Sequence, residues 1–246
     1  MAGKKERQRK LARERYQRRA VREERRRHRL RLWTLAGTAV VLVVAALSVG
    51  GVVLASRPPG GVPCTYTKSG TAARKVTLPP SRANGADYQA TLKTNHGSIV
   101  LDLLGSKAPC TVNSFTSLTG QGYFNKTPCH RLTNETGLYV LQCGDPTGTG
   151  SGGPGYKFDD ENLKGATYKA GTVAMANSGA NTNGSQFFLV YKNSSLPASY
   201  TPFGTIASGI NIIQSIAKAG TNNANGPGDG APKEKVEIDS VTIKQT

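Results

Sequence analysis

The chain of 246 residues carries 32 Lys and Arg against 15 Asp and Glu, a formal charge of +17, with 37% hydrophobic residues. That apolar content is enough for one core and excludes wholesale disorder, while 29 Gly and 13 Pro argue against a helical bundle. Residues 1–31 hold 15 basic and 4 acidic side chains, so most of the charge belongs to a tail and a basic globular surface is not indicated.

The basic tail, residues 1–31, interleaves Arg and Glu and is rich in helix formers. Its expected work is to set topology and to touch anionic lipid headgroups. Tyr16 is the one aromatic that interrupts it, so it offers no stacking platform and no nucleic-acid partner is expected. Residues 32–56 follow as 25 uncharged positions. At about 1.5 Å per helical residue, that length crosses a hydrocarbon core of roughly 30 Å. Trp33 stands at its edge, where an indole favours the membrane interface. The apolar region of a cleaved signal peptide is shorter, about 7–15 residues. The positive-inside rule therefore predicts a single-pass transmembrane signal anchor, with the tail in the cytoplasm and residues 57–246 extracytoplasmic.

Residues 57–87 read as a Pro/Gly-rich linker, with Pro58, Pro59, Pro63, Pro79 and Pro80 and no sustained periodicity. Cys64 complicates a free tether, because a bridged cysteine would tie it to the domain. From residue 88 to 246, short alternating segments are punctuated by turn residues. Strands are predicted at 88–94, 98–104, 129–132, 138–143, 172–176, 186–190, 202–207 and 236–243. One helix starts near Pro109, with Val112, Phe115 and Leu118 on one face and Gly120 as its stop. A second covers 210–217, with Gly220 beyond it. Eight strands and two helices predict a mainly β fold, a closed antiparallel barrel capped by helices, since closure removes exposed edges.

Several chemistries are demoted by what the chain contains. His28, His96 and His130 are the three histidines, none paired at metal-ligand spacing, and the cysteines are not arranged as CxxC. No metal site and no cofactor are expected. A GxSxG elbow is missing. Residues 148–153 match GxGxxG, but Pro154-Gly155 follows where a dinucleotide fold needs a helix to begin, so the segment reads as a mobile loop.

The run Gly171-Thr172-Val173-Ala174-Met175-Ala176-Asn177-Ser178-Gly179-Ala180-Asn181-Thr182-Asn183-Gly184-Ser185-Gln186-Phe187-Phe188 resembles the signature stretch of cyclophilin-type peptidyl-prolyl isomerases. His130-Arg131, Gln142-Cys143-Gly144-Asp145, the Gly-rich loop, Phe158-Asp159-Asp160-Glu161-Asn162, Phe203-Gly204 and Gly228-Asp229-Gly230-Ala231-Pro232 fall in the same order as in that family. The likeness covers roughly residues 89–244 and is greatest to the membrane-anchored actinobacterial members.

The resemblance implies an eight-stranded barrel with two capping helices and a groove for an extended, proline-containing peptide. It also implies site residues. Arg131 would be the catalytic guanidinium, with Gln142 holding the substrate backbone beside it. Phe188, Val140, Leu196 and Tyr200 would wall the proline pocket, with Tyr139 at its edge. Ala176 and the backbone of Asn177 would hold the residue before the proline. The chain departs from the family in lacking the frequent Trp of the 195–200 loop, in carrying Tyr200 and Tyr139 where His and Phe are common, and in lacking Met at the Val140 position.

Four cysteines fit an oxidising compartment and allow three connectivities. Cys129 and Cys143 end the arms of a predicted hairpin, which favours their pairing and leaves Cys64 with Cys110. Two functions are expected from this sequence. One is an isomerase that accelerates X–Pro rotation in extracytoplasmic proteins. The other is a groove of the same shape that binds proline-containing or unfolded chains with little turnover.

Overall fold

The computed structural model describes residues 60–135 and 137–246. The predicted tail and membrane span lie outside the described residues. Among those residues no helix is long and apolar enough to cross a membrane.

Three short strands open the described region: β1 (Val62–Pro63), β2 (Thr67–Lys68) and β3 (Arg82–Ala83). β4 (Tyr88–Thr94) and β5 (Gly97–Leu103) form the predicted hairpin and lead into helix α1 (Pro109–Gly120). β6 (Thr127–Pro128), β7 (Arg131–Glu135), β8 (Leu138–Cys143) and β9 (Tyr156–Lys157) follow. The chain closes with β10 (Thr172–Met175), β11 (Phe187–Val190), β12 (Pro202–Ser208), α2 (Ile210–Ala219), β13 (Asp229–Gly230) and β14 (Glu237–Gln245).

Ten strands form one antiparallel sheet in the order β13-β7-β8-β11-β10-β12-β5-β4-β14-β6. The expected closed eight-stranded barrel is therefore corrected to a curled sheet with β13 and β6 at its ends. The predicted strand at 129–132 is found from Arg131 onward, because Cys129 still donates to Val236 O at 2.9 Å, one step on from the Pro128–Glu237 pair of β6 and β14. The chain thus crosses from β14 at β6 to β8 at β7, and the gap is spanned by backbone in place of a ladder.

Alternation along the strands sets the core. Ala90, Leu92, Ile99, Leu101, Leu103, Leu132, Leu141, Leu189 and Ile238 are all at or below 1% exposure on the inner face. Phe115 of α1 stacks on Phe124 at 5.0 Å and meets Phe187 and Phe203 at 5.4 and 5.6 Å, so this helix closes the core with aromatic rings. No side chain of its own caps α1. Glu161 does so from a distant loop, accepting from Cys110 N, Thr111 N and Thr111 Oγ1 at 2.8–3.1 Å, which suits a carboxylate at a helix N-terminus.

Residues 60–87, expected as a linker, lie against the domain over their described length. β2 pairs with β9, Cys64 is bridged to Cys110, and Arg74 donates to the carbonyls of Tyr123 and Lys126 at 3.1 and 3.3 Å. The second disulfide joins Cys129 to Cys143, with Cα atoms 4.0 Å apart. Both pairings are those the hairpin argument favours.

Candidate active site

The groove begins with strand register. Arg131 of β7 pairs with Gln142 of β8, Gln142 with Phe188 of β11, and Phe188 with Ala174 of β10. Directly opposed residues in an antiparallel ladder share a face. One row across four strands therefore carries a guanidinium, an amide and an aromatic ring on the outer face of the sheet. The parallel row, two residues along, holds Thr133, Val140 and Val190. Neighbours of opposite parity, such as Leu141 and Leu189, fill the core.

Val140, Tyr168, Ala174, Phe188 and Val190 form a second buried apolar cluster, with Leu138, Ala166, Ala176, Leu196 and Tyr200 packed against it. Five of the expected pocket residues, Phe188, Val140, Leu196, Tyr200 and Ala176, are thus brought together. The Tyr200 ring meets Phe188 edge-on at 5.6 Å. Tyr139 is not with them: it packs with the main core, edge-on to Tyr191 at 6.1 Å and under Lys192 Nζ at 4.5 Å. Successive residues of β8 point to opposite faces, so Val140 and Tyr139 cannot share one. Asn177 ties down the loop beyond the cluster, donating from Nδ2 to Ser199 O at 2.8 Å.

Tyr168 was not among the expected residues, and it has a definite part here. Its hydroxyl donates to Tyr200 O at 2.8 Å and accepts from Tyr200 N at 3.0 Å, fixing the loop that carries Tyr200. Burial pushes its phenol pKa up, so the hydroxyl keeps its proton to donate.

Polar groups run beside the apolar cluster as one chain. Asp229 accepts from Arg131 Nε at 2.8 Å and from Nη2 at 2.6 Å, a bidentate pair. Arg131 Nη1 reaches Gln142 Oε1 at 3.4 Å, Gln142 Nε2 donates to Gln186 Oε1 at 2.8 Å, and Gln186 Nε2 donates to the carbonyls of Gly150 and Gly152 at 2.9 Å each. The hydrogen bond from Arg131 holds the Asp229 carboxyl below the usual carboxylate range, and the same bond pushes the guanidinium pKa up. With Nε and one edge of Nη2 engaged by Asp229 and one N–H of Nη1 turned to Gln142, the second N–H of Nη1 and the outer N–H of Nη2 remain for a ligand. The Arg131 side chain keeps 35% exposure. Burial lowers the pKa of neighbouring His130, leaving that ring neutral and unsuited to a cationic role.

The loop at 148–153 is held from below. Asp145, with 0% exposure, accepts from Thr147 N and Gly150 N at 2.7 Å and from Gly152 N at 3.0 Å, with further bonds from Thr147 Oγ1 and Thr149 Oγ1. The segment expected to be mobile is therefore anchored at two backbone positions, Gly150 and Gly152, and at Thr147 just before it. Burial acts to raise the Asp145 pKa, but these hydrogen bonds outweigh it and the carboxyl lies below its ordinary value. Asp145→Asn is expected to cost about 3 kcal/mol of stability at pH 7, since an amide cannot accept from donors on both sides. A depressed folded pKa contributes stability above the unfolded value, near 4, which fades as pH falls through the folded value. Urea unfolding of both proteins at pH 7 and pH 3 checks this, and the difference between them shrinks in acid. Among the described residues, no group of three or more His, Cys, Asp or Glu is placed to hold a metal ion.

Three comparisons with known proteins bear on this geometry. Residues 89–243 match the family model described as cyclophilin type peptidyl-prolyl cis-trans isomerase/CLD. Over 200 residues the chain is 50% identical to a protein of Mycobacterium leprae named probable peptidyl-prolyl cis-trans isomerase B, covering 74% of this chain and 67% of that one. A protein of the same name from Mycobacterium tuberculosis is 46% identical over 200 residues, 74% of this chain and 64% of its own length. The chain thus spans about two thirds of these relatives. A crystal structure of a cyclophilin type peptidyl-prolyl cis-trans isomerase from Cryptosporidium parvum superposes with a TM-score of 0.56 and 31% identity, covering 65% of this chain and 99% of that one. The same protein in the presence of the dipeptide Ala-Pro gives 0.55, 31%, 64% and 99%.

Proposed function

The chain belongs to the cyclophilin-type peptidyl-prolyl cis-trans isomerase family, and from that premise we infer that Arg131 catalyses rotation about X–Pro bonds of proteins outside the membrane. Residues 89–243 are an isomerase domain of that class, an enzyme. The observation that carries the assignment of roles is the row Arg131, Gln142 and Phe188, which sets a permanent cation, a backbone-binding amide and an apolar platform on one face.

The barrier to X–Pro rotation is about 18–20 kcal/mol, because the planar imide is resonance-stabilised. Twisting breaks that resonance, and the nitrogen becomes pyramidal and regains its lone pair. The Nη1 end of Arg131 donates to that lone pair and so binds the twisted state more tightly than either planar one. Arg suits this task because its charge does not titrate away and Asp229 fixes its plane. Phe188, Val140, Leu196 and Tyr200 hold the proline ring and exclude water. Gln142 holds the substrate backbone, while Ala176 and Asn177 receive the residue before the proline. The carbonyl side then turns against a fixed ring.

The extracytoplasmic setting is supported by the uncharged stretch at 32–56 behind a basic tail and by two disulfides, which persist in oxidising compartments. The proposed organisation is a cytoplasmic tail at 1–31, a membrane anchor at 32–56 and an isomerase domain that takes in residues 60–87 of the expected linker. A reporter active only outside the membrane, fused after Thr246, is expected to be active in cells. Activity of a cytoplasm-dependent reporter at the same point would overturn the topology. A second reading, a binding module with little turnover, draws on the engagement of Arg131 Nε and Nη2 by Asp229.

A further inference from the structure

The loop at 221–228 leads into β13 and so delivers Asp229, which fixes the plane of Arg131. That loop is held by asparagine side chains. Asn222 Oδ1 accepts from Ala224 N at 3.1 Å and from Ala231 N at 2.9 Å, and Asn223 Oδ1 accepts from Gly228 N at 3.0 Å. Asn225 acts on the carboxylate itself. Its Nδ2 donates at 3.2 Å to Asp229 Oδ1, the oxygen that also accepts from Arg131 Nε. The Asn225 N–H donates to Asp229 O and the Asp229 N–H to Gly226 O, both at 3.0 Å, which closes the turn.

Asn225 is followed by glycine. An asparagine before glycine is the pair most prone to lose ammonia, since no Cβ shields the next backbone nitrogen. Two other such pairs occur, Asn84-Gly85 and Asn183-Gly184, and the fold treats the three differently. Asn183 is at 0% exposure, its Nδ2 donates to Asp160 Oδ1 at 2.8 Å, and its own N–H is engaged by Phe158 O. Asn84 is exposed, but both ends of its amide are held. Its Oδ1 accepts from Ala86 N at 3.0 Å and its Nδ2 donates to Tyr88 Oη at 2.7 Å. Asn225 is exposed, and its side chain is tied by the single bond of 3.2 Å to Asp229. Nothing lies within 4 Å of where a Cβ would stand on Gly226. The Gly226 N–H is bonded to Asn223 O at 3.1 Å, so attack by that nitrogen waits on local opening of an exposed turn, which costs little.

We propose that Asn225-Gly226 is a site of spontaneous covalent modification whose conversion loosens the brace on Arg131, so that the enzyme loses turnover as it ages. The proposal rests on the isomerase reading for the role of Arg131. The Gly226 nitrogen bonds to the Asn225 Cγ, the Cγ–Nδ2 bond breaks, and ammonia leaves with the proton from that nitrogen. Water then opens the succinimide at either carbonyl, giving aspartate or isoaspartate. With aspartate, a carboxylate replaces a donor beside Asp229 Oδ1, and two like charges share one guanidinium. With isoaspartate, an extra backbone carbon also separates 225 from 226, and the turn that sets β13 against β7 loses its fit. Asn225 is thus a positioning residue, acting on Arg131 through Asp229.

The test keeps one portion of the full chain in warm, mildly alkaline buffer and a second portion cold and mildly acidic. Peptide mass mapping, with a separate assay for isoaspartate, follows the three Asn-Gly pairs, while kinetics on an Ala-Pro peptide follows turnover. Conversion is expected at Asn225 first, with Asn183 retained. In step with it kcat falls by about twofold to fivefold, the scale of an exposed like-charge contact, while KM stays unchanged. Asn225→Asp begins at the lowered kcat. Asn225→Gln shows no decline with time, and Asn84→Gln declines as the unaltered protein does. The Arg131 Nε–H resonance shifts as Asn225 converts, a signal that needs no turnover. Retention of Asn225 while Asn84 converts would overturn the site, and so would complete conversion that leaves either the kcat of an active protein or the Nε–H resonance unmoved. Fresh protein without turnover, in which conversion still moves that resonance, supports the site and overturns the isomerase reading instead.

Discussion

Arg131→Ala is expected to lower kcat/KM for an X–Pro peptide by about a hundredfold to a thousandfold, the cost of removing one donor that acts on charge developed in the transition state. The loss falls on kcat. The apolar cluster of Phe188, Val140, Leu196 and Tyr200 does not depend on the guanidinium for its packing, so KM stays within a few-fold. Arg131→Lys gives little rescue. An ammonium cannot satisfy Asp229 from two donors and still present others toward the groove. Thermal unfolding measured beside the kinetics separates this from damage to the fold, since the Arg131 side chain is one-third exposed. A variant that keeps most of its kcat would remove Arg131 from the mechanism.

The second large effect is on stability. Replacing Cys64 and Cys110 together by Ser is expected to cost about 4 kcal/mol, the loop-entropy value for a bridge that closes 46 residues. The same arithmetic gives about 3 kcal/mol for Cys129 and Cys143, which close 14. Equilibrium urea unfolding of the oxidised protein and of each double variant checks both values. The Cys64–Cys110 pair also responds first to reductant, because Cys110 is only half-buried whereas Cys143 is wholly enclosed. An unchanged urea midpoint in Cys64→Ser, Cys110→Ser would mean that packing of the Tyr66 ring and the Arg74 bonds alone hold residues 60–87 to the domain.

How far these features were legible depends on the kind of force that makes them. The β4–β5 hairpin, β8, β12 and both helices follow from apolar spacing and turn residues, and the structure keeps them within a few residues of the expected ends. β11 is different: all four residues are buried, because one face meets the core and the other the apolar cluster, so no alternation marks it. The division of 127–135 into two strands turns on a change of partner, from β14 to β8, which periodicity does not record.

The stretch at 60–87 was the least legible part of the domain. Its segment has no hydrophobic period, and what holds it is a disulfide, an arginine on four carbonyls and a tyrosine among rings, all with partners far along the chain. The groove was read in part. Arg131, Gln142 and Phe188 stand in motif positions, and register then places them in one row. Tyr168 had no such signal, and Asp229 stands in the 228–232 motif with no role assigned to it there, since one acts by bracing a loop and the other by bracing an arginine. Tyr139 shows the converse, a residue named by likeness that alternation along β8 turns toward Tyr191.

The most direct measurement is exchange between the cis and trans forms of a short Ala-Pro peptide, followed by NMR line shape with the full chain present in substoichiometric amount. Uncatalysed exchange takes tens of seconds or longer. The account predicts exchange fast enough to broaden and merge the two sets of signals, with the peptide chemically unchanged. Signals that shift on binding while cis and trans remain in slow exchange would contradict it and leave a groove that holds proline peptides without turning them.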